Sequence, residues 1–380
     1  MVNPEFEKLP FTVRGTRKFY VVTDSGSYLD FSGSGMTAGY NFLDESDLIS
    51  PVSSLVFENA ETHELTEKLK GLSGFEKVAY TNSGTEACDM ALSRFGPPVV
   101  ALEGSYHGRT FLAFKSSNGV GIDRENRILH LSVPSDNRSK AVVFEYNLKL
   151  LQKANKLFGI KGSPIIIELI QSDGGMRMLD IDFIEHMRRL TELFKLRLVI
   201  DEVYTGMGRS GELLLFKKFD MSPEMILIGK GMAAGLPMGA VLYSGKWDLP
   251  YGSALGMLGG NAMCSHAALK TIAALTEERL NFVRMEGLKI IDALRSAGKS
   301  KFTEVRGRGF MIGVEFKNGS GLPMTKMAHD VRNELLRRRV VCSLVGQHNN
   351  VLKITPPVMI DRRTLWTGVD IITGVLKDRK

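Results

Sequence analysis

Residues 197–230 read RLVIDEVYTGMGRSGELLLFKKFDMSPEMILIGK, and two apolar runs in this stretch decide the fold. Leu198-Val199-Ile200 closes on Asp201, and Ile226-Leu227-Ile228 closes on Gly229 and Lys230. Both runs are short, rich in β-branched residues and bounded by charged or turn residues, the pattern of buried parallel strands. In open α/β sheets, ligands sit at the carboxyl ends of such strands. A carboxylate and a primary amine delivered separately to that edge, with Gly229, Gly231 and Gly235 clearing space beside the amine, fit a flat ligand held between them. Pyridoxal phosphate needs both groups: its aldehyde condenses with an amine, and its ring withdraws electrons only while an acidic partner keeps the pyridine nitrogen protonated. The plainer reading of the same residues is a strand-end aspartate and a surface lysine.

Outward from this stretch the order strand, turn, helix repeats. Val78-Ala79-Tyr80 leads into a helix at Ser83, Val99 to Leu102 into a loop at Gly104, and Ile165 to Ile170 into Gly174-Gly175. Phe183, Met187, Leu190 and Phe194 recur at spacings that form one apolar helical face. This alternation predicts an α/β fold with a mainly parallel sheet covered on both sides. Upstream, Phe11 to Phe31 alternates around Thr23-Asp24-Ser25-Gly26, which predicts a hairpin. Downstream of Asn261 the pattern changes: Cys264 to Ala297 reads as one nearly continuous helix. Strands at Gly309 to Phe316 and Val351 to Thr355 follow, then a final helix carrying Leu365, Val369, Ile372 and Leu376. The expected division is 1–55 as an amino-terminal segment of a small domain, 56–270 as the large domain and 271–380 as the carboxy-terminal small domain.

The chain has 380 residues, 43% hydrophobic and 24% charged, as in an ordinary globular protein. With 49 basic and 42 acidic residues its formal charge is +7, modest for this length. Arg337-Arg338-Arg339 falls in a helical pattern and reads as a solvated face, so no nucleic-acid partner is expected. Cys88, Cys264 and Cys342 form no close-spaced metal pattern and leave an odd number for disulfides; no metal is expected, and a reducing cytoplasm fits best. The opening MVNPEFEKLPFTV has acids and prolines where a signal peptide needs an apolar core. The uncharged run Leu249 to Leu269 contains Pro250, four glycines, Asn261 and His266, and so reads as a glycine-rich loop entering a helix rather than a membrane span.

Two further segments carry chemistry. In Thr81-Asn82-Ser83-Gly84-Thr85-Glu86-Ala87, Ser83 and Glu86 have capping-box spacing, which predicts a helix start directly after a strand. Free N–H groups there, with Gly84 permitting close approach, suit a phosphate. In Ser105-Tyr106-His107-Gly108-Arg109-Thr110, the tyrosine can lie flat on a pyridine ring and the arginine can grip a carboxylate through two parallel hydrogen bonds. Each segment alone also reads as ordinary structure: a helix cap, a core tyrosine, a capped histidine and a surface arginine.

Together these segments resemble one family, the class III aminotransferases, the acetylornithine, ornithine and 4-aminobutyrate aminotransferase group of pyridoxal-phosphate enzymes with fold type I. The resemblance covers about Val13 to Ile360. NSGTEA resembles the family's phosphate-binding turn, SYHGRT its ring-stacking segment, IIIELIQSDGG its Glu-Pro-x-Gln-Gly-Glu-x-Gly stretch and VIDEVYTGMGRSG its pyridine-nitrogen segment. ILIGKGMAAGLPMGAVL resembles the segment holding the Schiff-base lysine.

By that resemblance Lys230 forms the Schiff base with the cofactor and then shuttles the substrate proton, while Asp201 holds the protonated pyridine nitrogen. Val203 and Tyr106 flank the ring, Ser83, Gly84 and Thr85 meet the phosphate, Glu168 lines the site and Arg109 takes a substrate carboxylate. The resemblance also implies a homodimer with shared active sites. This sequence departs from the pattern at four places. Tyr204 stands where the family has a glutamine touching the cofactor's phenolic oxygen, and Asp173 where it has a longer glutamate. Lys353, in VLKITPPV, stands where it has a substrate-binding arginine, and Met257 where it has a threonine that reaches the neighbouring subunit's phosphate. Lysine pairs with a carboxylate but cannot clamp it with a planar fork. The leading expectation is an aminotransferase that moves an amino group from an ω-amine or amino acid to an oxo acid such as 2-oxoglutarate, by a two-stage ping-pong cycle. An aminomutase or racemase, and a cofactor-binding protein without turnover, are the other readings these departures leave open.

Overall fold

The computed structural model describes residues 9, 11–33, 38–39, 42–50, 57–135, 138–249, 256–298 and 303–378. Most of the amino-terminal stretch read for export, and residues 250–255 of the run read for membrane spanning, lie outside the described residues. Among the described residues no helix is long and apolar enough to cross a membrane.

Three strands open the chain: β1 (Val13–Arg17), β2 (Tyr20–Thr23) and β3 (Gly26–Asp30). Thr23 pairs with Gly26 across the turn read from the sequence, and Gly26 has φ +120. Helix α1 (Ala60–Ser73) follows, with Leu65 and Leu69 buried on one face. Then come β4 (Lys77–Thr81), α2 (Gly84–Phe95), β5 (Val99–Leu102), α3 (Phe111–Lys115), β6 (Gly121–Asp123), β7 (Ile128–Leu131) and α4 (Lys140–Phe158). Next are β8 (Pro164–Ile167), the short strands β9 (Ile170–Gln171) and β10 (Arg177–Met178), α5 (Ile181–Phe194), β11 (Arg197–Asp201), β12 (Met225–Ile228) and β13 (Gly239–Tyr243). Of the apolar face expected on α5, Phe183, Met187 and Leu190 are buried and Phe194 packs against the core from a half-buried position.

Eight of these strands form one sheet in the order β4-β13-β12-β11-β8-β5-β7-β6. Neighbours from β12 to β7 pair in parallel, whereas β13 runs antiparallel to both β12 and β4, and β6 is antiparallel to β7. Every residue of β5, β7, β8, β12 and β13 is buried, as strands covered on both faces must be. Each fully buried Leu, Ile, Val or Phe contributes roughly 1.5–3 kcal/mol relative to exposure.

The carboxy-terminal part contains α6 (Ala262–Ala274), α7 (Glu277–Ala297), β14 (Thr303–Arg308), β15 (Met311–Phe316), α8 (Thr325–Arg337), β16 (Val340–Val341), β17 (Ser343–Val345), β18 (Val351–Ile354) and α9 (Arg362–Lys377). Strands β14, β15, β18 and β17 make a second, antiparallel sheet. Strand β16 instead pairs in parallel with β3, so the amino-terminal hairpin is completed by a strand from near the other end of the chain.

Three local expectations are corrected. The run Cys264 to Ala297 is two helices, because Thr276 caps α7 by accepting the Arg279 N–H at 3.3 Å and so ends the preceding helix at Ala274. Residues 270 and 271 fall within α6. The run Ile165 to Ile170 breaks after Ile167, where Glu168 turns its carboxylate back to Tyr106 and Ser172. In Arg337-Arg338-Arg339 the helix stops at Arg337. Arg339 (φ +66) sits over the Tyr28 ring at 4.8 Å and donates to the Ser25 carbonyl, so it fastens the hairpin rather than facing only solvent.

Candidate active site

Strands β11 and β12 lie side by side in parallel, with Asp201 opposite Leu227, so both deliver their next residues to one edge of the sheet. Asp201 is 4% exposed. Its Oδ1 accepts the Val203 N–H at 3.0 Å, and its Oδ2 lies 2.8 Å from His107 Nδ1. That geometry places the imidazole proton on Nδ1, donating to the carboxylate. His107 is buried too, and its Nε2 has no partner among the described residues. The Val203 and His107 bonds fix the carboxylate plane before any ligand arrives.

After β12, Gly229 is extended and Lys230 takes φ +46, a left-handed conformation uncommon for a residue with a side chain. A Cβ on Gly229 would meet Gly84 Cα at 3.1 Å, and a Cβ on Gly84 would meet Val203 Cγ1 at 2.5 Å. The start of α2, the turn at Lys230 and Val203 thus close on one another around glycines that leave room for nothing larger.

Ser83 caps α2, its Oγ accepting the Glu86 N–H at 3.3 Å, while Glu86 Oε2 accepts the Asn82 N–H at 2.9 Å. The reciprocal bond therefore falls one residue before the cap. Thr85 Oγ1 accepts the Arg109 N–H at 2.8 Å, so the phosphate-type turn and the aromatic segment are joined here. Gly108 permits this contact: it has φ +136, and a Cβ would lie 1.8 Å from Thr85 Oγ1. Gly108→Ala is expected to cost about 2 kcal/mol or more in stability, through strain and the clash at Thr85. A lower Tm with weakened cofactor binding in a titration is the expected result, and an unchanged Tm would contradict it.

The Tyr106 N–H donates to Glu168 Oε2 at 2.9 Å, and Arg109 Nε donates to Tyr106 Oη at 3.2 Å. Glu168 Oε1 accepts from the Ser172 N–H and hydroxyl, both at 3.3 Å. Burial pushes the Glu168 carboxyl up to about 7; His107 opposes this and Asp201 adds to it. Arg109 is exposed and Tyr106 half-buried, and both line a groove of about 2650 Å³ that Asp173 also lines. Lys230, Asp201 and Tyr204 are not in its walls.

Tyr204 lies beneath Lys230, whose Nζ is 4.1 Å from the ring centroid. Lys353 Nζ is 5.1 Å from the same centroid and the Arg209 guanidinium 6.0 Å. The Tyr204 hydroxyl is buried, with Thr355 and the Lys353 ammonium beside it. Burial pushes it up, but Lys353, Arg209 and Lys230 outweigh burial and leave it below the ordinary tyrosine value. Burial pulls Lys353 down, yet Tyr204 and Asp173 leave it net raised. Met257 is exposed. Sequence reasoning missed His107 as the partner of Asp201, Arg209 beside Tyr204, and Glu202. The last is 1% exposed and ties the chain after β11, accepting the Phe216 N–H at 2.6 Å and the Thr205 hydroxyl at 2.9 Å.

Burial pushes Glu202 up to about 7, its hydrogen bonds from the Phe216 and Leu215 N–H groups and the Thr205 hydroxyl opposing the shift. A carboxyl whose folded pKa exceeds its unfolded value contributes stability below about pH 4.5, lost as pH rises through about 7. Glu202→Gln, which copies the protonated form, is therefore expected to flatten part of the fall in Tm between pH 5 and pH 7.5. Parallel Tm curves for the two proteins would count against it.

The residues fit pyridoxal phosphate. Gly84 and Gly229 form a cradle a Cβ would fill, helix α2 begins beside it, and a buried carboxylate and an amine face the same sheet edge. Residues 43–376 match the family model for class III aminotransferases. The chain is 28% identical to an acetylornithine aminotransferase of Lactococcus lactis, over 98% of each chain. It is 29% identical to an alanine/serine racemase of Pyrococcus horikoshii, over 83% of this chain and 72% of the relative. Its fold matches that of a PMP-bound aminotransferase from Vibrio fluvialis with TM-score 0.82 at 21% identity, over 97% of this chain and 92% of the other.

Proposed function

Because the chain belongs to the class III aminotransferases, fold type I enzymes whose cofactor is pyridoxal phosphate, we propose that it moves an amino group from an ω-amine or amino acid to an oxo acid in two half-reactions. Acetylornithine, ornithine and 4-aminobutyrate are the donors to try, and 2-oxoglutarate the acceptor. The observation that carries this reading is the convergence of Lys230 and Asp201 from adjacent parallel strands, with Asp201 immobilised by His107 and the Val203 N–H. When bound, the cofactor supplies an aldehyde for the amine and a ring that accepts the electron pair left by proton removal.

In this reading Asp201 keeps the pyridine nitrogen protonated, His107 orienting it through Nδ1–H. Val203 and Tyr106 bound the ring on its two faces, and Ser83, Gly84 and Thr85 hold the phosphate at the start of α2. Lys230 holds and returns the proton at the substrate carbon, and its left-handed backbone directs the side chain off the end of β12. The Tyr204 ring supports the Lys230 nitrogen. Glu168 fixes the Tyr106 backbone, and Arg109, Asp173 and Lys353 line the substrate's approach. We place the small domain in residues 1–55 and 271–380 around a large domain of 56–270, in line with the β3–β16 pairing. A cytoplasmic homodimer completes the reading; sedimentation of a fully active monomer would contradict the dimer.

The test is the visible spectrum of the purified, cofactor-loaded protein before and after a panel of amines. Conversion to pyridoxamine phosphate on adding one amine, reversed by an oxo acid, supports the assignment. No conversion by any amine would overturn it. The racemase among the relatives favours one second reading, inversion of a single amino acid. Product formed from one substrate without an oxo acid would select it.

A further inference from the structure

Across the large sheet Val199 pairs with Ile166, Val100 with Ile165 and Ala101 with His130, so Val199, Ile166, Ala101 and His130 form one row. Side chains alternate along a strand, so Asp201, two residues beyond Val199, points to the same face as that row. Val199, Ile166, Ala101 and, two residues before His130, Ile128 all belong to the apolar cluster on this face. His130 therefore stands behind the Asp201 carboxylate, with β8 and β5 between their strands. The segment after α3 bridges that interval. Ser117 Oγ accepts the His107 N–H at 2.9 Å and donates to the Ala113 carbonyl at 2.6 Å. Two residues on, a Cβ at Gly119 would lie 2.1–2.5 Å from three atoms of the His130 ring, so one stretch of chain packs on both histidines.

Three polar groups meet this stretch unsatisfied. His107 Nε2 and Ser116 Oγ are buried with no hydrogen-bond partner among the described residues. The Ser116 carbonyl lies beside the His130 ring, yet neither ring nitrogen makes a hydrogen bond of ordinary geometry among those residues. Both histidines are 3% exposed. Around them stand the carboxyls of Asp201 on β11, Glu168 after β8, Glu103 after β5 and Asp123 on β6, and the Cys88 thiol on α2. Burial, with His107 nearby, still lowers His130 to about 4, so it is neutral at neutral pH, with one donor and one acceptor nitrogen. Buried polar groups left unpaired are costly, and an interior water that meets about three of them is a recurrent solution.

We propose that one interior water joins His107 Nε2, Ser116 Oγ and the His130 ring, which makes His130 a positioning residue for Asp201. The water donates one hydrogen to His107 Nε2 and the other to the bare nitrogen of His130, and it accepts the Ser116 hydroxyl hydrogen. The remaining His130 N–H faces the Ser116 carbonyl. With its Nε2 lone pair engaged, His107 keeps its proton on Nδ1, where it steadies the Asp201 carboxylate. The link to catalysis rests on the aminotransferase reading, in which that carboxylate holds the ring nitrogen of the cofactor; the water itself does not.

A crystal structure of the cofactor-loaded protein that resolves ordered waters is expected to place one within hydrogen-bond reach of all three groups, and a dry site would overturn the proposal. The second readout is the pH titration of the cofactor's visible band. His130→Leu, which fills the space and makes no hydrogen bond, is expected to raise the pKa of that band by about half a pH unit, because a ring nitrogen held less firmly withdraws fewer electrons. His130→Gln can still meet the water and is expected to recover most of that change, while Ser116→Ala moves the band in the same direction as His130→Leu. A merely structural role would lower Tm and leave the band in place. An unchanged titration in His130→Leu, or no recovery in His130→Gln, would overturn the relay. Should His130→Leu fail to fold, Ser116→Ala carries the test, and an unshifted band there would overturn it. Borohydride fixation of the cofactor on Lys230 separates the failures: its absence strikes the aminotransferase reading, whereas fixation in a protein with a dry site strikes only the water.

Discussion

Lys230→Ala is expected to abolish amino transfer, lowering kcat by more than about 10³-fold, because the substitution removes both the covalent attachment and the proton carrier. Lys230 follows β12 at the sheet edge, and its Nζ rests over the Tyr204 ring. No other lysine in that cluster can replace it: Lys353 approaches Tyr204 from β18, an element of the other sheet. Borohydride reduction of the cofactor-loaded wild type followed by peptide mapping is expected to label Lys230, with no label in the variant. Labelling of a different lysine, or activity within tenfold of wild type, would refute the assignment. The fold should survive, since alanine removes strain-neutral side-chain atoms and leaves the Gly229–Gly84 contact untouched.

Asp201→Asn is expected to lower kcat roughly 100- to 1000-fold while leaving the protein folded. An amide can still accept the Val203 N–H, so the local backbone is retained. It carries no charge to hold a protonated ring nitrogen, and that loss falls on the step in which negative charge develops. The His107 bond sharpens the test. His107→Gln leaves the charge of Asp201 in place but loosens its orientation, so a smaller loss is expected there than in Asp201→Asn. Equal losses in the two would mean that orientation, not charge, is what Asp201 supplies. A pyridoxal phosphate analogue with a permanently alkylated ring nitrogen gives a second readout: it is expected to restore part of the activity of Asp201→Asn.

The parallel sheet was legible in the sequence because its strands are short apolar runs ending at chemistry-bearing or turn residues, Asp201 and Gly229-Lys230 among them. The segments around Ser83 and Tyr106 were legible for the same reason, each following a strand. What joins those segments was not. The bond from His107 to Asp201 spans 94 residues, and a lone histidine carries no local sign of the carboxylate it will meet. Glu168 and Glu202 read as charged positions, yet folding buries both and shifts their protonation, which only three-dimensional packing sets. The break at Thr276 carried a local signal, a threonine three residues before Arg279, but the apolar pattern across it runs on and masks the cap. The position of Tyr204 between two lysines from different sheets depends on how the two sheets come together, and no spacing encodes that.

The parallel pairing of β3 with β16 imposes an order of events on a chain emerging from the ribosome. The Leu29 and Phe31 N–H groups donate to the carbonyls of Arg339 and Val341, and the Phe31 carbonyl accepts from Thr355. The first strands made must therefore wait for about three hundred residues of synthesis, on the order of half a minute at roughly 5–20 residues per second, before their open edge is covered. A sheet with a free edge is a template for wrong pairing. The same late closure brings Gly33 against Tyr204 and Thr355. A nascent chain thus has no finished pocket in which to trap a reactive aldehyde, and chemical competence waits until β16 and β18 have been made.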